Sequence, residues 1–373
     1  MLLYLKNLFN SIIHGSVKKK ILFSIFLLFY IFILLICIIP VQVSSTSPGS
    51  ITAVSSVIEV ENVDTSVRKR IYTVSVYAKT KASLLEYFIA SLDKNTDIYI
   101  DKREDSIYTI NEENKIDVIA KEQSIQDSII TAYTYALNNG YDVNLDYTYK
   151  GIRVACVPVN KIGSGPESIQ IGDIITEIEG NAVDNLDEFK NIVKEIHQER
   201  VNDPSIKSKQ VKVLRDNQEI NLSACNIINL DVLGQYVEIY ENNVPEYIFY
   251  EYYNIDSTSA KPKFNINKAY SSGPSGGLIQ TLFVYEAITN ASLVKDKYVL
   301  GTGTISRNGK VGKIGAVQQK VLTANYYACD YFLVPSSNYD EAKKKYDEIK
   351  DPSYVLVKVD SFQDVIDALK EGE

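Results

Sequence analysis

A chain of 373 residues with 39 basic and 47 acidic side chains, net charge −8, has room for two or three folding units, and its acidic balance argues against a nucleic-acid surface. Its four cysteines, Cys37, Cys156, Cys225 and Cys329, form no C-x-x-C pair, which speaks against a disulfide framework or a zinc site. The two histidines, His14 before a hydrophobic segment and His197 on a predicted surface helix, supply no credible base for a Ser-His-Asp triad.

Residues 1–20 read as a cytoplasmic tail ending in Lys18, Lys19 and Lys20. The stretch ILFSIFLLFYIFILLICII, from Ile21 to Ile39, carries one polar side chain, Ser24. At ~1.5 Å of rise per residue it nearly crosses a ~30 Å hydrocarbon core. Lysines in front and no basic cluster behind predict a single-pass anchor over 21–43 in the cell membrane, with the N-terminus cytoplasmic and the remainder extracellular. A cleaved signal peptide competes with this reading, although its apolar region would be ~7–15 residues long. SSTSPGS (44–50) then reads as a linker.

Residues 51–60 and 71–78 are rich in Val, Ile, Thr and Tyr and read as strands; 81–93 reads as a helix. A stronger helix spans 121–140, with Ile125, Ile129, Ala132 and Ala136 on one face and Gly140 as its stop. From 145 the pattern changes. GIRVACVPVN is a strand, KIGSGPES a glycine-rich turn, IQIGDIITEIEGNAV strand–turn–strand, NLDEFKNIVKEIHQER a helix and KQVKVLRDNQEINLSAC a hairpin. Residues 145–228 thereby resemble a PDZ domain, which takes an extended peptide as an added strand between a strand and a helix. On that resemblance the backbone of Gly151, Ile152, Arg153 and Val154 would pair with the peptide, and the helix from Leu186 to Ile196 would form the other wall. A degenerate domain that only packs against its neighbour is the alternative.

After Leu230 come strand-rich segments (EYIFYEYYNI, KPKFNINKAY), then YSSGPSGGLIQTLFVYEAIT, in which a Gly-Pro-Ser turn runs into an apolar helix ending near Asn290. KYVLGTGTISRNGKVGKIG reads as two strands around the turn Arg307-Asn308-Gly309, followed by a helix, a strand, a helix, a strand and a last helix, a layered α/β pattern. Ser275 is then either a helix cap or a nucleophile beside the unpaired N–H groups of a helix start, where an oxyanion is best stabilised. With no histidine at hand the base would be a lysine. Lys310 and Lys313 flank turn glycines; Lys320 sits early in a helix among Ile314, Val317, Val321 and Leu322, where burial lowers a lysine's pKa.

The motif GPSGG followed by GTGTISRNGKVGKIGAVQQKVLTA resembles the proteolytic domain of Lon proteases. That resemblance implies Ser275 as nucleophile, Lys320 as base, and supporting roles for Gly276 at the oxyanion site and Thr302 beside the lysine. The pattern departs at Gly276, where the family carries Ala, at Thr304, where long Lon enzymes carry Glu, and at Ser272, where an Asp is expected. The strands at 51–78 and the helix at 121–140 resemble the opening of the same domain, so 51–141 and 233–373 would form one proteolytic domain with the PDZ region inserted. The expected fold class is α+β: a transmembrane helix, a small β-barrel-like PDZ domain with helices, and a Lon-type α/β proteolytic domain. The function implied is that of a membrane-anchored serine endopeptidase acting on peptides or small secreted or membrane proteins, with a homo-oligomer possible for the family. No G-x-x-x-x-G-K-S/T phosphate loop is present, so cleavage is expected without ATP; no cofactor or metal is implied. The competing function is a catalytically inactive, membrane-tethered PDZ scaffold that binds peptide tails.

Overall fold

The computed structural model describes residues 15–61, 69–100, 108–157, 165–206, 208–225, 227, 247–267 and 273–371. His14 and Ser272 lie outside them. The chain opens with α1 (Val17–Ile38), β1 (Val43–Ala53), β2 (Ile58–Val60), β3 (Ile71–Lys79), α2 (Leu84–Leu92), β4 (Asp97–Ile100) and α3 (Ile110–Asn138). It continues with β5 (Asn144–Cys156), β6 (Ile174–Ile178), β7 (Asn181–Ala182), α4 (Leu186–Asn202), β8 (Lys209–Arg215), β9 (Gln218–Cys225), β10 (Ile248–Lys261) and β11 (Phe264–Ile266). The last part holds α5 (Gly277–Thr289), β12 (Val299–Gly301), β13 (Thr304–Ile305), β14 (Val311–Gly312), α6 (Val317–Tyr326), β15 (Tyr331–Pro335), α7 (Tyr339–Asp347), β16 (Val355–Val359) and α8 (Phe362–Glu371).

Two compact units divide the chain: residues 1–47 with 77–104, and residues 48–76 with 105–373. In the first, α1 is a 22-residue helix with no buried residue, and an 18-residue window of it has mean hydropathy 3.2, so it is long and apolar enough to cross a membrane. The segment after it forms strand, not linker. Val43–Thr46 of β1 pairs antiparallel with β4, and the strand runs on through Pro48 and Gly49. Serine, proline and glycine carry poor strand propensity, so tertiary pairing overrides the local signal here.

In the second unit β3, β12, β15 and β16 form a sheet whose β3–β12, β12–β15 and β15–β16 pairs are parallel. Its helices lie on two sides, as a parallel sheet requires. One apolar cluster joins α3 and α5 (Ile125, Ile129, Leu278, Ile279, Phe283) to α8 (Phe362, Val365, Ile366). Another joins α6 (Val317, Val321, Ala324) to Phe332, Val334 and Leu356. Helix α5 is buried from Gly277 to Ile288, so it runs through the core; Asn290 ends it in the left-handed conformation.

Helix α3 starts eleven residues before its expected position, at a capping box in which Thr109 and Glu112 satisfy each other's backbone N–H groups. Its polar opening turns hid it from hydrophobic periodicity. Ile125, Ile129, Ala132 and Ala136 form its buried face as expected, and Gly140 adopts φ +82° beyond its end. The stretch 299–312 holds three short strands in place of two: β12 joins the parallel sheet, while β13 and β14 form a separate hairpin.

The third cluster belongs to an antiparallel sheet of order β10-β5-β6-β8-β9, packed on Phe189, Val193 and Ile196 of α4. Its fifth strand, β10, comes from beyond residue 233, so strand pairing crosses the boundary expected between 228 and 233. The expected peptide edge is corrected by the same pairing. Residues Gly151, Ile152, Arg153 and Val154 of β5 face Tyr252, Glu251, Tyr250 and Phe249 of β10 on one side, and Ile152 and Arg153 face Ile175 and Ile174 of β6 on the other. An interior strand has no free ladder groups to offer a peptide.

Candidate active site

Ser275 lies in a single 3-10 turn, Pro274–Gly276, that leads into α5. Gly276 is the residue that caps α5, and no side-chain cap bond is formed there, so Ser275 is not a helix cap. Two segments hold the turn, α3 and Thr302–Gly303. Ser124 Oγ of α3 donates to the Pro274 carbonyl (2.8 Å). Gly303 N–H donates to the Ser275 carbonyl (2.7 Å), and Leu278 N–H donates back to the Gly303 carbonyl (3.0 Å). Thr302 Oγ adds a second hydrogen bond to the Ser275 carbonyl (3.2 Å). The serine is therefore fixed through its backbone while its side chain stays half-buried.

Lys320 approaches from α6. Its Nζ stands 3.1 Å from Ser275 Oγ and 3.1 Å from Thr302 Oγ1, and the residue is 4 % exposed. Burial pushes the amine down to about 7, because a low-dielectric surrounding disfavours the charged form. Its place in the first turns of α6, where the helix dipole is positive, acts in the same direction. The hydroxyl of Thr302, fully buried, gives its proton to the Ser275 carbonyl and so offers a lone pair to Nζ. A neutral amine held that way keeps its own lone pair for Ser275 Oγ.

The loop into α6 is fixed in turn. Ala316, in the left-handed conformation (φ 54°), follows Ile314, whose N–H and carbonyl are both taken by the buried side chain of Asn338 (2.8 and 3.0 Å). Sequence reasoning missed Asn338 and Ser124. Asn338 sat in a stretch that read as the approach to a helix. Ser124 left a fainter trace, since Gln123, Ser124 and Ser128 are polar residues on a face otherwise apolar, and all three are buried.

The expected site residues thus fall into two groups. Ser275, Gly276, Thr302 and Lys320 come together. Gly151 to Val154 stand in the other sheet, where Ile152 and Val154 are core side chains and Arg153 pairs with Glu122 of α3 (2.7 Å). His197 lies on α4. The outer edge of β10 is covered too. Gln123 donates to the Glu251 carbonyl (3.3 Å), Tyr253 N–H donates to Gln126 Oε1 (3.2 Å), and Gln126 Nε2 donates to the Tyr253 carbonyl. Beside it Arg307, from the β13–β14 turn, pairs with Glu251 and with Asp127 (3.5 Å) and lies over the Tyr253 ring (4.2 Å). Burial holds the Asp127 carboxyl up at about 7, against the pull of Gln123 and Arg307. Glu251 also receives the N–H of Leu186 at the start of α4 (2.9 Å).

Residues 262–371 match the family described as Lon protease (S16) C-terminal proteolytic domain. The chain is also 32 % identical over 97 residues to "Lon protease homolog, mitochondrial" of Debaryomyces hansenii, a match that takes in 26 % of this chain and 9 % of that protein. The chain thus spans about a tenth of the length of that relative. Over residues 262–371 the chain is thus similar to a Lon-type proteolytic domain.

Proposed function

We propose that the chain is a membrane-anchored serine endopeptidase with a Ser275–Lys320 dyad, working on peptides or unfolded segments without ATP. The observation that carries the reading is the buried Lys320 amine at 3.1 Å from Ser275 Oγ with no histidine between them. Neutral Lys320 takes the Ser275 proton as Oγ attacks the peptide carbonyl. The N–H groups of Ser275 and Gly276, at the positive end of a 13-residue helix, receive the developing oxyanion. Lys320 then returns the proton to the leaving amine, and water resolves the acyl-enzyme. Thr302 orients Nζ without touching substrate. Helix α1 serves as the anchor, with Lys18, Lys19 and Lys20 retaining its N-terminal end in the cytoplasm.

For the antiparallel sheet the proposal is a packing role and not peptide capture. Both sides of Gly151–Val154 are paired, and the neighbouring edge at Glu251–Tyr253 is sealed by two glutamines of α3, the helix whose Ser124 holds the serine turn.

The test is hydrolysis of an unfolded protein and of quenched peptides by the purified full-length chain in detergent. Ser275→Ala and Lys320→Met should each reduce turnover by on the order of 10³ or more with the fold intact, and Mg-ATP should leave the rate unchanged. Wild-type turnover in either variant would overturn the dyad, and absence of turnover in every preparation would overturn the peptidase reading.

A further inference from the structure

Helix α2 (LLEYFIASL) contains no buried residue although five of its nine side chains are large and apolar. Leu84, Phe88 and Leu92, four residues apart, form a stripe with Leu85 and Ile89 beside it. Phe88 and Ile89 are each 58 % exposed and Leu92 73 %. The acid on the opposite side, Glu86, is tied down: it accepts from Ser83 N–H (2.8 Å) and pairs with Lys79 (3.1 Å). Contiguous apolar surface of this kind marks a contact site.

The backbone says what the contact is. Leu84 N–H donates to the carbonyl of Ile39 (3.0 Å), one residue past the end of α1. Val41 N–H donates to Ala82 and Ala82 N–H to Val43, both at 2.9 Å. The apolar stripe therefore begins at the level where the 22-residue apolar helix ends. The same unit also exposes Tyr77, Tyr87, Tyr99 and Ile100, together with Lys79, Lys81 and Lys94. Exposed tyrosines and lysines in the unit that exposes an apolar stripe match the headgroup layer of a bilayer, and the lysines suit anionic lipid.

We propose that α2 lies in the lipid–water interface as a second membrane contact, its Leu84–Phe88–Leu92 stripe facing the acyl boundary. This rests on reading α1 as a membrane helix, and the experiment separates the two. The protein has no tryptophan, so single substitutions give clean probes. Full-length Phe88→Trp and Phe29→Trp, the latter in the middle of α1, are reconstituted into vesicles containing phosphatidylglycerol with lipids brominated either near the headgroup or near the chain end. Trp emission at 88 should be blue-shifted and quenched roughly threefold more by the shallow bromine than by the deep one, with the reverse order at 29. In the Phe88→Trp background, Leu92→Glu should reduce the shallow quenching. Quenching at 29 but not at 88 overturns the proposal and leaves the anchor standing. Quenching at 88 alone keeps the contact and overturns the anchor. A blue shift at 88 without quenching by either lipid assigns the stripe to a protein partner or a second copy, and overturns the proposal.

Discussion

The serine turn and the antiparallel sheet were both expected to be sites; the fold brings the expected residues of the first within hydrogen-bonding distance and pairs those of the second with other strands. In the turn, everything that matters comes from residues that must have a particular chemistry where they stand: a hydroxyl ahead of a helix, a lysine with nowhere to be solvated, a threonine to divide its hydrogen bonds. In the sheet, the expected site was a row of backbone groups, and backbone groups belong to whichever strand arrives. Here β10 arrives, and Gln123 and Gln126 close the edge it brings. A side-chain site is written in residue identity. A strand-edge site depends on which partner wins the edge, and that is a non-local outcome.

The largest test of the contrast is at Lys320. If burial is what lowers the amine to about 7, kcat/KM should rise with pH through about 7 and level off above it, as the neutral base accumulates. Stability should rise with pH as well, but over the higher window between the folded and unfolded pKa of the same group. The folded pKa lies below the unfolded one, so the penalty for the buried charge is fully present below about 7 and is relieved as pH rises toward the free-lysine value near 10.4. Lys320→Met should thus lose turnover and gain stability, by on the order of several kcal/mol at pH 6 and far less at pH 10. Denaturation followed at both pH values checks this; a gain independent of pH would remove burial as the cause.

Arg307 is where the two regions meet, since it leaves the hairpin beside the serine turn and pairs with Glu251 of β10. Arg307→Ala strands the partly buried Glu251 carboxylate and lets Asp127, already held up at about 7, go neutral, and should cost about 2–3 kcal/mol, less than for a fully buried pair because the side chains retain some solvent. The pH midpoint of kcat/KM should stay near 7, because burial lowers the Lys320 amine and no charge on Arg307 contributes to it. A midpoint that moves with Arg307 would show that the sheet tunes the base, and the contrast drawn above would fail.

How much of this was legible follows the same division. Ser275, Thr302 and Lys320 could be picked out because glycine-rich turns and a lysine among apolar residues are local signals, and the α3 face was read from its period. The strand at 43–53 was missed because Pro48 and Gly49 signal a turn, whereas β1 is held by its pairing with other strands. Asn338 and Ser124 were missed because a buried polar residue that serves backbone groups elsewhere looks, in sequence, like any loop or helix residue.

The smallest test concerns Gly276, where the family pattern has Ala. Its φ −91° and ψ −7° are open to any residue, so backbone freedom does not require glycine. Space does. An added Cβ would stand 3.1 Å from Thr73 Cγ2 and 3.3 Å from Gln280 Nε2. The next residue is stricter, since a Cβ on Gly277 would meet Ser124 Oγ at 2.7 Å and Ile305 Cγ2 at 2.8 Å. Gly276→Ala removes unfolded-state freedom, which favours folding by about 0.4–1 kcal/mol, and crowds one methyl by a few tenths of an ångström. The two should nearly cancel, leaving stability within about 1 kcal/mol of wild type and turnover within severalfold. Thr73→Ser deletes the crowding methyl and keeps the hydroxyl that bonds Thr52 (3.3 Å), so the double variant should be more stable than Gly276→Ala alone. If deleting the Thr73 methyl fails to matter, and Gly276→Ala is no better with Thr73→Ser than without it, packing against Thr73 is not what sets the residue at 276.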